Sequence, residues 1–235
     1  MNYAIIAAGE GSRLVQEGVA VPKPLVDLDG RPMIRRLIDI FASYKPETLS
    51  IIVNEQMTAV REYIEEIAPT LPFPLRLTVK STPSSMHSFY EVSRGFSEGK
   101  FILTTVDTIF RQPDFVRYAE AFDNDDSADG CFGVTDFIDD EKPLYVDTDA
   151  EGFITAFRDA PNGHDRYISG GIYGLTAPAL DILADCMERG VSRMRNYQRA
   201  LIDAGMHLRA FPFPKIVDVD HAGDIETALA FIAGK

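Results

Sequence analysis

Residues 7–14 read Ala-Ala-Gly-Glu-Gly-Ser-Arg-Leu, and residues 22–25 read Pro-Lys-Pro-Leu. Two glycines and an arginine directly after the apolar run Tyr3-Ala4-Ile5-Ile6 give a core little to pack, so the segment invites a chemical reading. Glycine lacks a Cβ, which lets successive backbone N–H groups close on an anion. Arg13 brings a planar, doubly donating fork suited to phosphate oxygens, and Lys23 a compact point charge. Pro22 and Pro24 restrict the backbone on both sides of Lys23, which limits the freedom lost on binding. Asp107 follows Leu103-Thr104-Thr105-Val106, where a central strand would end, and open α/β sheets bind ligands at that edge. A carboxylate there suits a hard divalent cation bridging phosphate oxygens.

Three phosphate-binding designs compete for residues 7–14. A P-loop requires Gly-Lys-Ser/Thr at its end, whereas Gly11 is followed by Ser12-Arg13. A dinucleotide fingerprint wants a third small residue where Leu14 stands, although Asp27 and Asp29 fall at a suitable distance for a ribose carboxylate; it fits in part. The third is a long loop in which Ala-Ala-Gly-x-Gly-x-Arg-Leu precedes Pro-Lys-Pro-Leu by about ten residues, and here the match is close.

That pairing resembles the NTP transferase superfamily of sugar-nucleotide pyrophosphorylases and related cytidylyltransferases. Further along, "LTTVDT" (103–108), "YISGGIYGL" (167–175) and "VDVDHAGDI" (217–225) resemble the family's strand-end aspartate, acceptor-side glycine-rich strand and C-terminal metal-ligand segment. The resemblance implies an α/β fold, a three-layer α/β/α sandwich on a mostly parallel mixed sheet of the GT-A-like, Rossmann-like kind. It implies Mg2+ as cofactor, and as partners an NTP and a phosphorylated small-molecule acceptor, joined with release of pyrophosphate. On the same ground Arg13 and Lys23 are catalytic, and Ala7, Ala8, Gly9, Gly11, Ser12 and Ser85 bind the nucleotide. Gly170 and Gly171 bind the acceptor, and Asp107 and Asp220 hold the metal, with Asp218 the less favoured choice. Asp224 is read as a helix cap favoured by the helix dipole.

The acceptor stays open between a sugar 1-phosphate and a phosphocholine-like or inositol-phosphate-like alcohol phosphate. "TPSSMHSFYEV" (82–92) resembles the cytidylyltransferase branch, yet N-capping alone accounts for Ser84 and Ser85. Many sugar-phosphate members carry Glu-Lys-Pro after a hairpin strand, whereas this chain has Phe157-Arg158-Asp159-Ala160-Pro161; Arg158 would serve a phosphate or simply be solvated. Two other readings compete. A metal-dependent glycosyltransferase would use Asp-x-Asp where residues 107–109 read Asp-Thr-Ile, and a nucleotide-sensing module need not keep Arg13, Lys23, Asp107 and Asp220 together.

The elements that must position these groups alternate as βαβ units. Apolar runs predict strands at 3–7, 49–53, 75–79, 101–106 and 130–135, and helical periodicity predicts helices at 32–44, opened by Pro32 at its first position, 56–67 and 86–96. Hairpin strands follow at 144–146 and 153–157, a strand at 167–175, and helices at 178–187 and 193–204. The expectation is one domain over residues 1–235, with a nucleotide-binding half at about 1–125. An acceptor-binding lobe follows at about 126–215, and the metal-ligand segment and last helix at 216–235.

A net charge of −13 disfavours a nucleic-acid or anionic-membrane surface, which would need clustered Lys and Arg. Residues 1–36 hold five basic and four acidic side chains, so the acidic excess lies outside the phosphate-binding region. Cys131 and Cys186 lack metal-ligand spacing and read as reduced, buried thiols. No apolar stretch approaches the ~18 residues a membrane span needs, and no secretory leader pattern opens the chain, so a cytoplasmic location is expected. "DNDDSAD" and "DTDAEG" lack the ligand ladder of a calcium loop and read as acidic loops. His87, His164, His207 and His221 are scattered and are given no chemistry, and the oligomeric state stays open.

Overall fold

β1 (Asn2–Ala7) sends alternate side chains to opposite faces of a sheet, and both faces are covered. Tyr3 and Ile5 meet one cluster, built with α2 (Met33–Phe41), α3 (Thr58–Ile67) and α5 (Gln112–Asn124). There Tyr3 stacks on Phe41 at 4.7 Å between ring centres. Ala4 and Ile6 meet the other, built with α4 (Ser85–Val92), α6 (Pro178–Glu188) and α7 (Met194–Asp203). The computed structural model describes residues 1–96, 98–138 and 141–234, and over them the α/β/α layering follows from this two-sided burial.

The remaining strands are β2 (Thr48–Val53), β3 (Leu75–Val79), β4 (Lys100–Thr105), β5 (Thr108–Ile109), β6 (Gly130–Thr135), β7 (Tyr145–Thr148), β8 (Ile154–Arg158), β9 (Tyr167–Thr176), β10 (Leu208–Pro212) and β11 (Val217–Asp218). The main sheet runs β10-β6-β9-β4-β1-β2-β3, with β7 and β8 added beside β9. β9 is antiparallel to β4 and β6, while the other strands of that path share one direction, so the sheet is mixed and mostly parallel along it. Two further helices, α1 (Ser12–Gln16) and α8 (Ala222–Ile232), lie near the site. Leu14, Val26, Met33, Val219 and Phe231 form a third apolar cluster that joins them.

Several expected boundaries shift. Pro32 caps α2 with an extended backbone (φ −55°, ψ 142°) and is not its first helical residue; it bridges to Asp27, and Met33 N–H donates to the Val26 carbonyl. α3 begins at Thr58 and α4 ends at Val92, before a short tight turn through Gly95. Two unassigned segments are regular. α5 buries Phe115, Tyr118, Ala119 and Phe122, a helical spacing legible in the sequence, and β10 is an edge strand, where Pro212 is tolerated. The acidic loops are held by turns: Asp125 accepts from Ser127 N–H and from Arg209, and Asp149 from Glu151 and Phe153 N–H. Cys131 and Cys186 are free and buried. Among the described residues no helix is long and apolar enough to cross a membrane.

One irregularity shapes the functional edge. Phe132 pairs with Tyr173 and Val134 with Ser169, so Gly133 alone faces Gly170, Gly171 and Ile172. A Cβ on Gly170 would sit 2.3 Å from Ile216 Cδ1, and one on Gly171 (φ +76°) would sit 2.5 Å from Thr108 Oγ1. Thr108 is itself tied to Thr105 at 2.8 Å, so it cannot swing aside freely. Gly171→Ala should therefore lower stability by about 2 kcal/mol or more in urea denaturation. Gly223→Ala, in open space on α8, should leave the midpoint unchanged or raise it.

Candidate active site

The loop after β1 turns at Gly11, whose φ of 61° and ψ of 29° are left-handed and start α1. A Cβ there would lie 3.0 Å from Lys23 Cβ, so the glycine also admits the lysine stem. Lys23 is only 7% exposed. Its Nζ stands 2.6 Å from Asp107 Oδ2 and 2.5 Å from Asp220 Oδ1. Arg13, exposed on α1, reaches the second Asp220 oxygen at 2.9 Å. Four residues from three distant parts of the chain thus form one charged cluster.

Burial opposes the charge on Lys23, but Asp107 and Asp220 outweigh it and hold the ammonium above its ordinary range. Burial likewise opposes ionisation of Asp107, and the Lys23 ammonium outweighs it, keeping the carboxyl below its ordinary value. The two carboxylates stand side by side with the Lys23 ammonium between them.

Asp107 lies in the turn from β4 to β5, at the carboxyl end of a strand flanked by β1 and β9. Asp220 is brought to it by a two-residue ladder in which Val217 pairs with Ile109 and Asp218 with Thr108. Val219 N–H then donates to the Asp107 carbonyl at 3.1 Å. Asp224 caps α8, accepting from Asp220 N–H at 2.8 Å and His221 N–H at 2.6 Å. Glu17, at the end of α1, accepts from Ala222 N–H at 2.6 Å and pairs with His221 Nδ1 at 2.6 Å. It ties the helix carrying Arg13 to the segment carrying Asp220. Sequence reading passed over Glu17 because only a contact across some 200 positions reveals it.

Two cavities adjoin this cluster. A cavity of about 630 Å³ is lined by Ala8, Gly9, Gly11, Ser12, Arg13, Lys23, Asp107 and Asp220. A second, of about 320 Å³, is lined by Ser169, Gly170, Gly171, Tyr173, Arg193, Gln198 and Asp218. Ser85 and Thr105 line both, so they mark the shared wall. Ala7 stands apart: it is 1% exposed, packs into the core on the α2 side and lines neither cavity. Asp218 faces the smaller cavity, whereas Asp220 meets Lys23 beside the larger one. Ser84 precedes α4, but its hydroxyl caps no amide of that helix; it pairs with His87 Nδ1 at 2.8 Å and accepts from the backbone N–H of Arg193 at 3.2 Å.

The model of the MobA-like NTP transferase domain matches residues 3–162, which include the glycine loop, Lys23 and Asp107. The chain belongs to the MobA-like NTP transferase family. Among curated relatives of this NTP transferase domain, it is 27% identical over 198 residues to a mannose-1-phosphate guanyltransferase of Candida albicans, covering 78% of this chain and 52% of that one. It is 24% identical over 212 residues to the bifunctional protein GlmU of Methanococcus maripaludis, covering 87% of this chain and 48% of that one. The NTP transferase chain thus spans about half the length of these relatives. The solved inositol-1-phosphate CTP transferase from T. maritima superposes with a TM-score of 0.79 over 97% of this chain and 96% of that one. At 16% identity it is the fold that is shared.

Magnesium use is typical of such transferases, and the donor set can be tested for it. Among the described residues no group of three or more His, Cys, Asp or Glu is placed to hold a metal ion. Two carboxylates do converge, and magnesium commonly takes one or two from a protein and keeps water for the rest, so the pair fits. Lys23→Ala would remove the cation between them and leave the partly buried Asp107 without its partner. It should destabilise the protein by about 3 kcal/mol in urea denaturation. Millimolar MgCl2 should restore part of that loss in the single variant and none in the Lys23→Ala/Asp107→Asn double variant.

Proposed function

We propose that the chain is a magnesium-dependent nucleotidyltransferase joining an NTP to the phosphate of a small polyol, a sugar phosphate or an inositol phosphate, with release of pyrophosphate. The observation that carries this reading is the meeting of Lys23, Asp107, Asp220 and Arg13 at the seam of two cavities. One cavity would take the triphosphate on the Gly9–Ser12 loop, with the base toward Ala8 and Ser85, and the other the acceptor beside Gly170 and Gly171.

An oxygen of the acceptor phosphate attacks the α-phosphorus, the bond to the β-phosphate breaks, and pyrophosphate leaves. The acceptor phosphate is already ionised at neutral pH, so alignment and charge neutralisation matter more than a general base. Arg13 would turn from Asp220 to the β and γ phosphates, and Lys23 to the α-phosphate. Asp107 and Asp220, released from these cations, would hold Mg2+. When bound, the ion supplies neutralisation of the charge shared among phosphate oxygens.

A polyol body suits the lining of the smaller cavity. Gln198 is 2% exposed and donates to the Tyr173 hydroxyl at 3.1 Å, while Ser169 donates to Gln198 Oε1 at 3.3 Å. Burial pushes the Tyr173 hydroxyl up to about 12, so it stays neutral. These are uncharged donors and acceptors suited to hydroxyl groups. A quaternary ammonium would want open aromatic faces. Phe137 already carries the Lys215 ammonium 4.0 Å over its ring, and Tyr173 packs edge-on against Phe132 at 5.1 Å. Cys131 and Cys186, both free and buried, accord with action in the cytoplasm.

Common NTPs should be tested against sugar 1-phosphates, inositol 1-phosphate and phosphocholine, with pyrophosphate as the readout. Turnover with a polyol phosphate is expected, turnover with phosphocholine alone would refute the polyol reading, and no turnover with any pair would refute the transferase reading. Arg13→Ala, at an exposed position, should cut turnover at least a hundredfold with an unchanged unfolding midpoint. Asp107→Asn and Asp220→Asn should each raise the magnesium concentration needed for half-maximal rate, and the double variant should be less than additive.

A further inference from the structure

Arg193 is the residue just before α7, and its backbone is strained: φ is 71° and ψ is 139°, a combination that non-glycine residues rarely adopt. Such strain survives only where the surroundings fix the backbone on both sides. Here the N–H donates to Ser84 Oγ at 3.2 Å, and the carbonyl accepts from Asn196 N–H at 3.1 Å. The residue is thereby fixed between the start of α4, whose Ser85 borders both cavities, and the smaller cavity that it lines.

The other arginines near that cavity are committed. Arg158, the sequence candidate for a phosphate, is closed by Asp147 at 2.7 and 2.8 Å and by Asp165 at 2.5 Å. Arg195 holds Asp159 and the Lys142 carbonyl, and Arg199 holds Asp159 and Asn196. The exposed Arg193 guanidinium makes no hydrogen bond or ion pair among the described residues. A fork-shaped cation left open on the wall of the smaller cavity, on a strained backbone tied to Ser84 of the larger one, suits a doubly charged oxyanion.

We propose that Arg193 binds the phosphate of the acceptor and sets it toward the nucleotide cavity, a role that rests on the transferase reading above. The backbone strain gives it a signature distinct from a structural role. Glycine relieves the strain and alanine does not, so Arg193→Gly should unfold at a higher temperature than Arg193→Ala, while both lose the acceptor equally.

The probe is inorganic phosphate, titrated by calorimetry onto the full chain with its nucleotide cavity saturated by an NTP analogue carrying an α,β-methylene bridge and by MgCl2. Phosphate should bind the wild type, at least tenfold more weakly to Arg193→Ala and Arg193→Gly, and with an intermediate loss to Arg193→Lys. Affinity for the NTP analogue should stay within twofold throughout. In turnover with the polyol phosphate found active, the KM for the acceptor should rise at least tenfold while that for the NTP holds. Unchanged phosphate binding and acceptor KM in Arg193→Ala would overturn the proposal, as would parallel loss of stability and NTP affinity in both variants. Absence of turnover in a wild type that still binds phosphate through Arg193 would instead refute the transferase reading alone.

Discussion

A buried lysine ammonium gripped by two carboxylates from opposite ends of the chain is the constraint on which this architecture turns. Burying a charge is costly, and it is tolerable only when the pairing is close. Lys23, Asp107 and Asp220 meet that condition with contacts of 2.5 and 2.6 Å. The surrounding structure reads as the means of keeping those contacts. Gly11 makes room for the lysine stem, the β4–β5 turn presents Asp107, and the β5–β11 ladder delivers Asp220. Asp224 and Glu17 then hold the backbone about Asp220 from two directions.

In the proposed reaction the cluster would exchange its partners. The cations sit where phosphates would draw them away, and the carboxylates sit where a divalent ion would replace them. A charge balance satisfied internally without ligand, and by substrate and metal with it, avoids an uncompensated buried charge in either state.

Beside this cluster, the antiparallel β9 makes the second cavity. Its three-residue bulge opposite Gly133 depends on glycines that let β9 approach Ile216 and Thr108 closely. Gly170 and Gly171 therefore serve packing as well as lining the cavity. The polar side chains beside them, Ser169, Tyr173 and Gln198, carry more of its chemical character.

The chemistry was legible in the sequence wherever it is local. "AAGEGSRL" and "PKPL" specify a turn, a charge and a restricted backbone within a few residues, and alternating apolar strands with helix-period segments announce a two-faced sheet. α5 was equally legible in its Phe115, Tyr118 and Phe122 spacing, though it went unassigned. Tertiary structure alone decided which groups meet. It paired Asp220 with Lys23, closed Arg158 with Asp147 and Asp165, turned Ala7 into the core, and left Arg193 open on a strained backbone. The physical reason is that a motif fixes dihedrals and charge over a short span. Whether a carboxylate finds a cation some 200 residues away depends on strand register, and one residue of slip would send Asp218 and Asp220 to other neighbours.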